Sequence, residues 1–418
     1  MRFAVAVHGT RGDVEPCAAV ARELVGRGHE VRIAVPPNLV GFAESAGLKG
    51  VQPYGVDSQK QLEADLFRDW WKLQNPMTVV RRAREYVTEG WAEMSQTVDD
   101  LAADADLILT GTTYQEVAAN VAEARDLPLA ALHYFPCRMN TEVLPVRLPG
   151  PVLRAGWSAA EWGHWRVLKA AEDAQRRALG LAPARTRAIR RIVEGGALEI
   201  QAYDEVFFPG LSREWHGTRP LIGSLSLQLP TADDEDLDQW IAAGPPPIYF
   251  GFGSMPVESP ASAIAMITSV CAELGERAVI STGVWDVEAI PRDDGVKLVG
   301  AVNHAKVFPA CRAVVHHGGA GTVAASVRSG VPTVVLWVSA DQPVWASRIN
   351  RMKVGGAQRF SRTTARSLTK VLRTALSPEC QERARLAASQ TTPVVQSVAT
   401  AADLLEAAAT RGRPPAPR

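Results

Sequence analysis

The feature that most constrains the fold of this chain is a turn built from glycines. Residues 314 to 323 read Val-Val-His-His-Gly-Gly-Ala-Gly-Thr-Val. The β-branched start is typical of a strand, the glycines interrupt it, and the Ala- and Val-rich stretch up to Gly330 predicts a helix. A strand, a glycine turn and a helix N-terminus form the unit from which parallel α/β sheets are built.

The same turn suggests a ligand. The first amides of a helix are unpaired and carry a partial positive charge, so they suit anions and above all phosphates. The alternative is a tight turn that binds nothing. Three glycines beside two histidines are dense for a simple turn. We therefore favour a phosphate site.

Composition excludes several classes of protein. The chain has 418 residues, enough for two or three domains. Lys+Arg and Asp+Glu are both 45, so no net charge steers it toward nucleic acid or an anionic membrane. No apolar run approaches the ~20 residues of a membrane helix. We expect a soluble cytoplasmic protein, monomeric or homodimeric, with at most peripheral membrane contact. The five cysteines are scattered, which predicts reduced thiols: Cys17, Cys137, Cys271, Cys311 and Cys380.

The first half begins with a βαβ unit. An apolar run over residues 2–8 predicts a strand, residues 9–13 a turn, and residues 14–25 a helix that stops at Gly26 and Gly28. Further strands are expected over residues 31–35, 107–109, 128–134, 197–202 and 220–222. Residues 62–103 read as mostly helical, and residues 136–163, rich in proline and glycine, as irregular.

The second half repeats the alternation after Gly244-Pro-Pro-Pro247. Strands are predicted over residues 248–252, 278–281, 296–299, 313–316 and 333–337. Helices are predicted over residues 263–274, 343–352, 364–376, 378–388 and 394–409. Two such halves, joined near residues 205–240, predict an α/β protein with two Rossmann-like, doubly wound domains facing each other across a cleft.

Polar clusters follow four strands of the second half. In a parallel sheet the carboxyl ends of the strands lie on one edge, so these clusters should converge on one ligand. Glycine amides and hydroxyls suit a diphosphate, and a carboxylate beside an amide suits vicinal sugar hydroxyls. A nucleotide sugar meets both demands. The clusters are Ser254, Thr282-Gly283, the turn at His316, and Asp341-Gln342.

In the first half, Asp13 stands at a strand end that faces the same cleft. A carboxylate there could take a proton from an acceptor hydroxyl as that hydroxyl attacks the anomeric carbon of a sugar. Its reference pKa is about 3.9, so it is ionised at neutral pH. Asp is also a common helix N-cap, and spacing alone leaves both roles open.

Four motifs together resemble the GT-B nucleotide-sugar glycosyltransferases of family one. The closest similarity is to actinobacterial members that act on glycopeptide antibiotics and mycobacterial members that decorate glycopeptidolipids. The resemblance spans residues 1 to about 400. The motifs are Gly9-Thr-Arg-Gly-Asp-Val-Glu-Pro16, residues 244–255, His316-His-Gly-Gly-Ala-Gly-Thr322 and Ala340-Asp-Gln-Pro343.

The resemblance implies a function and a domain plan. The function is an inverting, metal-independent transfer of a hexose or deoxyhexose from a UDP- or dTDP-sugar to a hydroxyl, with no cofactor. The implied domains are residues 1–215 for the acceptor, 216–390 for the nucleotide sugar, a C-terminal helix over 391–412 that packs on the first domain, and a disordered tail over 413–418.

The resemblance also implies roles for single residues. Asp13 matches the catalytic base, and Thr10 and Arg11 lie in the turn that approaches the donor. Asp341 and Gln342 match the sugar-hydroxyl contacts. Thr282, Gly283 and Val302 match the region around the nucleobase and ribose. The diphosphate contacts would come from Ser254 and from His316, Gly318, Gly319, Ala320, Gly321 and Thr322, in place of a metal.

Two positions depart from the plant relatives. Those enzymes pair a histidine base with an aspartate on a later strand, where this chain offers only Thr110-Gly-Thr-Thr113. A direct aspartate base fits that absence. They also hold the ribose with a glutamate eight residues after the motif histidine, where this chain, counted from His316, has Ala324. We expect looser ribose recognition and acceptance of dTDP-sugars.

The acceptor is the least determined part. Six tryptophans of the first half either fill the core or line a pocket for a bulky, partly apolar natural product or glycolipid: Trp70, Trp71, Trp91, Trp157, Trp162 and Trp165. Trp70, Trp71, His133 and Tyr134 are candidate acceptor contacts, although the last two could be structural. Asp104-Ala-Asp106 resembles a metal-binding pair but precedes its strand, so we interpret it as a solvated corner.

Two other functions are considered. A nucleotide-sugar epimerase of the same fold would convert the donor without an acceptor. A non-catalytic nucleotide-sugar-binding partner protein would not need both Asp13 and the pair Asp341-Gln342.

Overall fold

A computed structural model describes residues 1–63, 84–143, 149–227, 229, 234–253, 259–283 and 294–413. For residues 62, 63 and 234 only the backbone is described. Three predicted site residues, Trp70, Trp71 and Ser254, lie outside the described residues, as do residues 414–418 of the predicted tail.

The first sheet has six parallel strands in the order β3-β2-β1-β4-β5-β6. Strand β1 lies at the centre, and the chain winds outward from it in both directions, as in a doubly wound fold. Its inner strands are mostly apolar and buried because helices cover both faces. The strands are β1 (Arg2–Ala6), β2 (Glu30–Val35), β3 (Gln52–Pro53), β4 (Leu107–Thr110), β5 (Leu129–His133) and β6 (Leu198–Gln201).

The second sheet repeats this plan. It has six parallel strands in the order β12-β11-β10-β7-β8-β9, so β10, which leads into the glycine turn, is central. The strands are β7 (Ile248–Gly251), β8 (Ala278–Ser281), β9 (Val296–Val299), β10 (Ala313–His316), β11 (Thr333–Trp337) and β12 (Gly355–Arg359). The predicted fold of two Rossmann-like domains is confirmed.

Helices connect the strands of the first sheet and cover it. They are α1 (Arg11–Gly26), α2 (Val40–Ser45), α3 (Ser58–Glu63), α4 (Trp91–Leu101), α5 (Gln115–Ala124), α6 (Gly150–Ala178), α7 (Ala188–Glu194) and α8 (Leu211–Glu214), with 3-10 turns at Pro37–Leu39 and Glu205–Phe207. Helices α1 and α5 begin directly after β1 and β4, so their N-termini lie at the carboxyl edge of the sheet.

The second sheet is covered in the same way. Its helices are α9 (Asp234–Ala242), α10 (Pro260–Leu274), α11 (His304–Val307), α12 (Ala320–Arg328), α13 (Gln342–Met352), α14 (Ala365–Ala375), α15 (Pro378–Ala388) and α16 (Val394–Arg411), with 3-10 turns at Phe308–Ala310 and Phe360–Arg362.

The last helix returns to the first half of the chain. Ala401 and Leu405 of α16 are buried in the same apolar core as residues of α1 and β1. Arg27 at the end of α1 donates to Asp403 at 2.6 Å, and the ring of His29 lies 2.8 Å from Glu406. The C-terminal helix α16 therefore packs against the N-terminal part of the chain. The predicted domain boundaries at residues 215 and 390 remain predictions.

Two sequence predictions are corrected. The stretch expected to be irregular over residues 136–163 contains the first half of α6, which begins at Gly150 and runs for 29 residues. Pro151 lies in the first turn, where its missing amide costs no hydrogen bond. The strand expected over residues 220–222 is only an isolated bridge between Leu221 and Gln201.

Candidate active site

The turn after β1 places Asp13 in the first turn of α1. The carboxylate oxygen Oδ2 of Asp13 accepts the backbone amide of Thr10 at 2.8 Å and the Thr10 hydroxyl at 3.1 Å. Gly9 has φ +135°, and a Cβ at this position would lie 2.3 Å from the same oxygen. A glycine is needed here because any side chain would collide with the carboxylate.

The pKa of Asp13 is raised to about 6. Burial is the largest cause, because it disfavours the charged form. The hydrogen bonds from Thr10 oppose it, and the negative charge of Asp341 adds to it. The hydrogen bonds from Thr10 both reach Oδ2, and no other described residue donates to the second carboxylate oxygen, Oδ1, which leaves Oδ1 for a ligand. Thr10 and not Asp13 is the N-cap of α1: Asp13 is the third residue of the helix and completes a capping box through Oδ2. Its role as a base stays a prediction.

The electrostatic interaction between Asp13 and Asp341 indicates how the two sheets lie relative to each other. Asp13 follows the central strand of the first sheet, and Asp341 is the N-cap of α13, after β11 of the second. His304 of α11 likewise responds to the charges of Glu15 and Arg11 on α1. Charges influence one another in this way only at short range. The carboxyl edges of the two sheets therefore face each other, with α1 on one wall of the cleft.

Three turns of the second sheet meet at one point. A Cβ on Gly283 (φ +57°) would lie 2.3 Å from the carbonyl oxygen of Gly253, so the turns after β7 and β8 are in contact. A Cβ on Gly253 would lie 3.1 Å from the ring of His317, which brings in the turn after β10. The convergence predicted for the strand ends is present in the described residues.

His316 does not face this point, which corrects its predicted role as a direct diphosphate contact. Its side chain is fully buried. Its Nδ1 accepts the amide of Gly318 at 3.0 Å, and its Nε2 lies 3.3 Å from the hydroxyl of Ser326 on α12. Burial lowers the pKa of His316 well below its ordinary value, so the ring is neutral. His316 therefore stabilises the glycine turn from the domain interior, through its hydrogen bond with the Gly318 amide.

The ring of His317, and not that of His316, lies where the turns after β7 and β10 meet. Its ring lies between Gly253 and Gly319, where a Cβ on Gly319 would come within 2.8 Å of Nε2. His317 is partly exposed, but its Nδ1 is buried and has no hydrogen bond to a described residue. Burial lowers the pKa of His317 to about 4, and a hydrogen bond with the Gly251 backbone raises this pKa and opposes burial. The sequence signal for it was present, since His317 is the histidine that directly precedes the glycines.

Helix α12 begins at this turn, with Gly319 as its N-cap and no side chain capping it. Gly319, Ala320, Gly321 and Thr322 are all partly or fully exposed. Their position gives a helix N-terminus with accessible amides, the arrangement that suits an anion.

Asp341 and Gln342 lie beside the glycine turn. Asp341 Oδ2 accepts the indole N–H of Trp345 at 2.8 Å, and burial raises the pKa of Asp341. Gln342 Oε1 accepts the amide of Val338 at 2.8 Å, which leaves its amide nitrogen free of the described residues. A Cβ on Gly318 would lie 3.4 Å from the Gln342 side chain. The pair therefore borders the position where a phosphate would bind.

Comparisons with known proteins identify this arrangement. Residues 3–110 match the glycosyltransferase family 28 N-terminal domain, and residues 269–402 match the C-terminal domain of erythromycin biosynthesis protein CIII-like proteins. An uncharacterized glycosyltransferase of Mycobacterium tuberculosis is 55% identical over 414 residues, which cover 99% of this chain and 100% of the relative. This chain belongs to the same glycosyltransferase family.

More distant relatives agree. Glycosyltransferase GtfE of Amycolatopsis orientalis is 30% identical to this glycosyltransferase over the full length of both chains. The sterol 3-beta-glucosyltransferase UGT80B1 of Arabidopsis thaliana is 27% identical, over 92% of this chain and 64% of the relative. The resemblance to actinobacterial glycosyltransferases is confirmed, and none of these relatives supports the epimerase alternative.

Solved structures show the GT-B fold. The calicheamicin glycosyltransferase CalG4 has a TM-score of 0.71 at 17% identity and covers 98% of each chain. The glycosyltransferase VinC, solved in complex with DTDP, has a TM-score of 0.69 at 20% identity and covers 99% of this chain and 100% of its own.

Three other residues that were predicted to contact the donor make contacts within the protein. The hydroxyl of Thr282 donates to the carbonyl of Val299 at 3.2 Å. Val302 is buried with Val299 and Phe308. The guanidinium of Arg11 lies 4.7 Å from the centre of the Phe42 ring and pairs with Glu15 at 3.2 Å. Their roles as donor contacts remain predictions.

The two described acceptor candidates of the glycosyltransferase are structural. His133 is fully buried beside Gln201, with its Nδ1 3.2 Å from the side-chain amide, and burial lowers its pKa to about 3. Tyr134 is buried too, and its hydroxyl donates to the backbone carbonyl of Asp13 at 2.8 Å. Tyr134 therefore holds the helix turn that carries Asp13, a role that sequence reasoning missed.

The Asp-x-Asp pair of the glycosyltransferase is a surface corner. Asp106 accepts the backbone amide of Arg2 at 2.7 Å, and Asp104 lies 3.6 Å from the Arg2 guanidinium. Among the described residues, no group of three or more His, Cys, Asp or Glu side chains could hold a metal ion. No helix in the described part of the chain is long and apolar enough to cross a membrane.

Proposed function

We propose that this glycosyltransferase moves a hexose or deoxyhexose from a UDP- or dTDP-sugar to a hydroxyl by an inverting single displacement, with Asp13 as the base and without a metal. The observation that carries this proposal is the pairing across the cleft. Asp13, with a free oxygen, stands opposite a glycine turn, a helix N-terminus and Asp341-Gln342.

The donor would bind on the second sheet. The diphosphate would accept hydrogen bonds from the amides at the start of α12 and from the ring of His317, which can donate although it is neutral. Asp341 and the free amide of Gln342 would bind the sugar hydroxyls. These groups are fixed before the reaction, so they stabilise the charge that develops on the leaving diphosphate at little cost of reorganisation.

The chemical step would use Asp13. Oδ1 accepts the proton of the acceptor hydroxyl, the hydroxyl oxygen bonds to the anomeric carbon, and the bond from that carbon to the diphosphate oxygen breaks. The configuration at the anomeric carbon inverts because the nucleophile and the leaving group lie on opposite faces. A base is most effective when its pKa is near the working pH. A pKa of about 6 leaves Asp13 mostly ionised at neutral pH and still basic enough to take a proton.

Recognition of the nucleotide would be permissive. Counted from His316, Ala324 stands at the position where plant relatives have a ribose-binding glutamate. Counted from His317, the position is Ala325, so either count gives an alanine. The complex of VinC with DTDP supports a dTDP-sugar as one donor. Comparable affinities for UDP and dTDP are expected, and a strong preference for UDP would contradict this part of the proposal.

The acceptor would be a bulky, partly apolar molecule. The names of two similar proteins, a calicheamicin glycosyltransferase and a sterol 3-beta-glucosyltransferase, support this class. The tryptophans were expected either to fill the core or to line an acceptor pocket. Trp91 fills the core, since it is buried and donates to Gln175 at 3.0 Å, whereas Trp162 is exposed.

The central test is Asp13→Asn. We expect turnover to fall by about two to four orders of magnitude while the affinity for UDP and dTDP changes little, because the amide cannot accept the proton. Asp104→Asn, at the surface corner, is the matched control and should leave both quantities unchanged. Transfer is measured over a panel of nucleotide sugars, with mass spectrometry of the products. Near-normal turnover of the Asp13 variant would remove Asp13 from the base role.

A further inference from the structure

The first half of α6 projects beyond the first sheet. Helices α5 and α6 run side by side in the same direction: His164 contacts Glu116 at 3.0 Å near the start of α5, and Arg176 contacts Glu123 at 2.7 Å near its end. Residues 150–163 precede the first of these contacts. At 1.5 Å per residue they extend roughly 20 Å past the start of α5, on the side of the carboxyl edge.

This projecting half carries an exposed apolar stripe. Val152, Ala155, Ala159 and Trp162 recur at helical spacing and lie on one face. The side chains of Val152 and Trp162 are 53% and 56% exposed. The stripe borders an open groove of about 630 Å³, whose other wall is the segment from Arg185 to Arg190. Single exposed apolar residues are ordinary, so the stripe acquires meaning only from its surroundings.

Those surroundings are positively charged. Arg154, Arg166 and Arg185 have no carboxylate partner among the described residues, and the guanidinium of Arg166 lies 5.8 Å from the centre of the Trp162 ring. Arg187 and Arg190 are each paired with a glutamate. We call Val152, Trp162, Arg154, Arg166 and Arg185 the α6 patch. Its positive charge is local, since the whole chain has as many acidic as basic residues.

We propose that the α6 patch docks the protein on an anionic membrane surface. Tryptophan favours the interface between lipid headgroups and acyl chains, and arginines beside it attract anionic lipids. The patch is open and extends from the projecting half of α6 to Arg185 on the opposite wall of the groove, so it can meet a broad surface without a complementary cavity. Membrane docking itself does not depend on the proposed function, but its biological use rests on it: docking on this side would bring the acceptor cleft close to a lipid-linked acceptor.

The test is co-sedimentation of the whole chain with phosphatidylcholine vesicles, with and without phosphatidylglycerol. We expect binding only to the anionic vesicles, and release at high salt, because salt screens exposed charges. Each arginine near an anionic surface contributes about five-fold to binding. Arg166→Glu with Arg185→Glu should therefore reduce the partition coefficient by more than about ten-fold, and Trp162→Ser should also weaken it.

Matched controls lie on the second half of the chain. Leu386 is 61% exposed and Arg366 is exposed, so Leu386→Ser and Arg366→Glu repeat the chemical changes away from the patch. Both should sediment like the unmodified protein. The proposal is overturned if no binding to anionic vesicles occurs, if neutral vesicles bind equally well, or if patch and control variants behave alike.

The same experiment separates docking from catalysis. Asp13→Asn should bind vesicles normally while it loses transfer. Failure to bind vesicles in a protein that still transfers sugar would remove the docking proposal alone. Normal vesicle binding in a protein that transfers no sugar would remove the proposed function and leave docking standing.

Discussion

Asp13 and Asp341 follow strands of two different sheets, and the negative charge of Asp341 raises the pKa of Asp13. One carboxylate belongs to the wall that would hold the acceptor and the other to the wall that would hold the donor sugar. The coupling places the candidate base and the candidate sugar-binding group within one site. Such pairs, whose environments shift their pKa values, are typical of catalytic clefts.

Asp341→Asn should move the acid limb of the pH–rate profile to lower pH. Removal of the negative charge lowers the pKa of Asp13 below about 6, so the base stays ionised to a lower pH. The asparagine can still accept the indole N–H of Trp345. Turnover should fall as well, through loss of a sugar contact, so the informative quantity is the midpoint of the acid limb of kcat/KM. Asp104→Asn is the control, and an unmoved midpoint in Asp341→Asn would contradict the coupling.

Substitution of the two adjacent histidines should have opposite consequences. His317→Ala should weaken binding of UDP or dTDP about ten-fold, equivalent to about 1.4 kcal/mol, with little change in the free energy of unfolding. Calorimetric titration and denaturant unfolding measure the two quantities.

His316→Ala should instead lower the free energy of unfolding by about 1–3 kcal/mol, because the buried amide of Gly318 and hydroxyl of Ser326 lose a partner. Equal effects of the two changes on nucleotide affinity, with no difference in stability, would show that both histidines contact the ligand.

Gly9→Ala should damage the site through the carboxylate of Asp13. A methyl group at φ +135° would lie 2.3 Å from Oδ2, so Asp13 must move and turnover should fall. Gly47 is the matched control, since it has φ +88° and no atom within 4 Å of an added Cβ. Gly47→Ala should cost only the conformational penalty of about 1–2 kcal/mol and leave turnover unchanged. Equal turnover in the two variants would refute the steric argument.

Tyr134→Phe should lower turnover a few-fold without changing the KM for the donor. The hydroxyl donates to the Asp13 carbonyl at 2.8 Å, so its removal loosens the turn that carries the base and costs about 1 kcal/mol of stability. Tyr54→Phe is the control, because the buried Tyr54 hydroxyl has no partner among the described residues. A change in donor KM with unchanged turnover would place Tyr134 in binding instead.

Local patterns in the sequence predicted most of the fold. Apolar runs that end in glycine turns identify strands of parallel sheets, because only a chain that leaves a strand sharply can start a covering helix. That argument located β1, β7 and β10 and placed Asp13 at a strand end. The apolar run alone located β11 and placed Asp341 after it. Local patterns failed for α6, where prolines and glycines suggested an irregular segment, because Pro151 occupies the one helix turn that tolerates it.

What the sequence by itself determined is which residues stand at the strand ends; what only the tertiary structure decided is which way each of them faces. Neighbouring residues at the end of a strand point to opposite sides. His316 turns toward Ser326 in the domain interior and His317 toward the turn after β7. Similarly, the Tyr134 hydroxyl donates to the backbone of Asp13 and does not face an acceptor. The pKa of Asp13 depends on burial and on the charge of Asp341, which is more than three hundred residues away in the chain. Burial and long-range charge arise only when the two sheets are brought together, so no local pattern contains them.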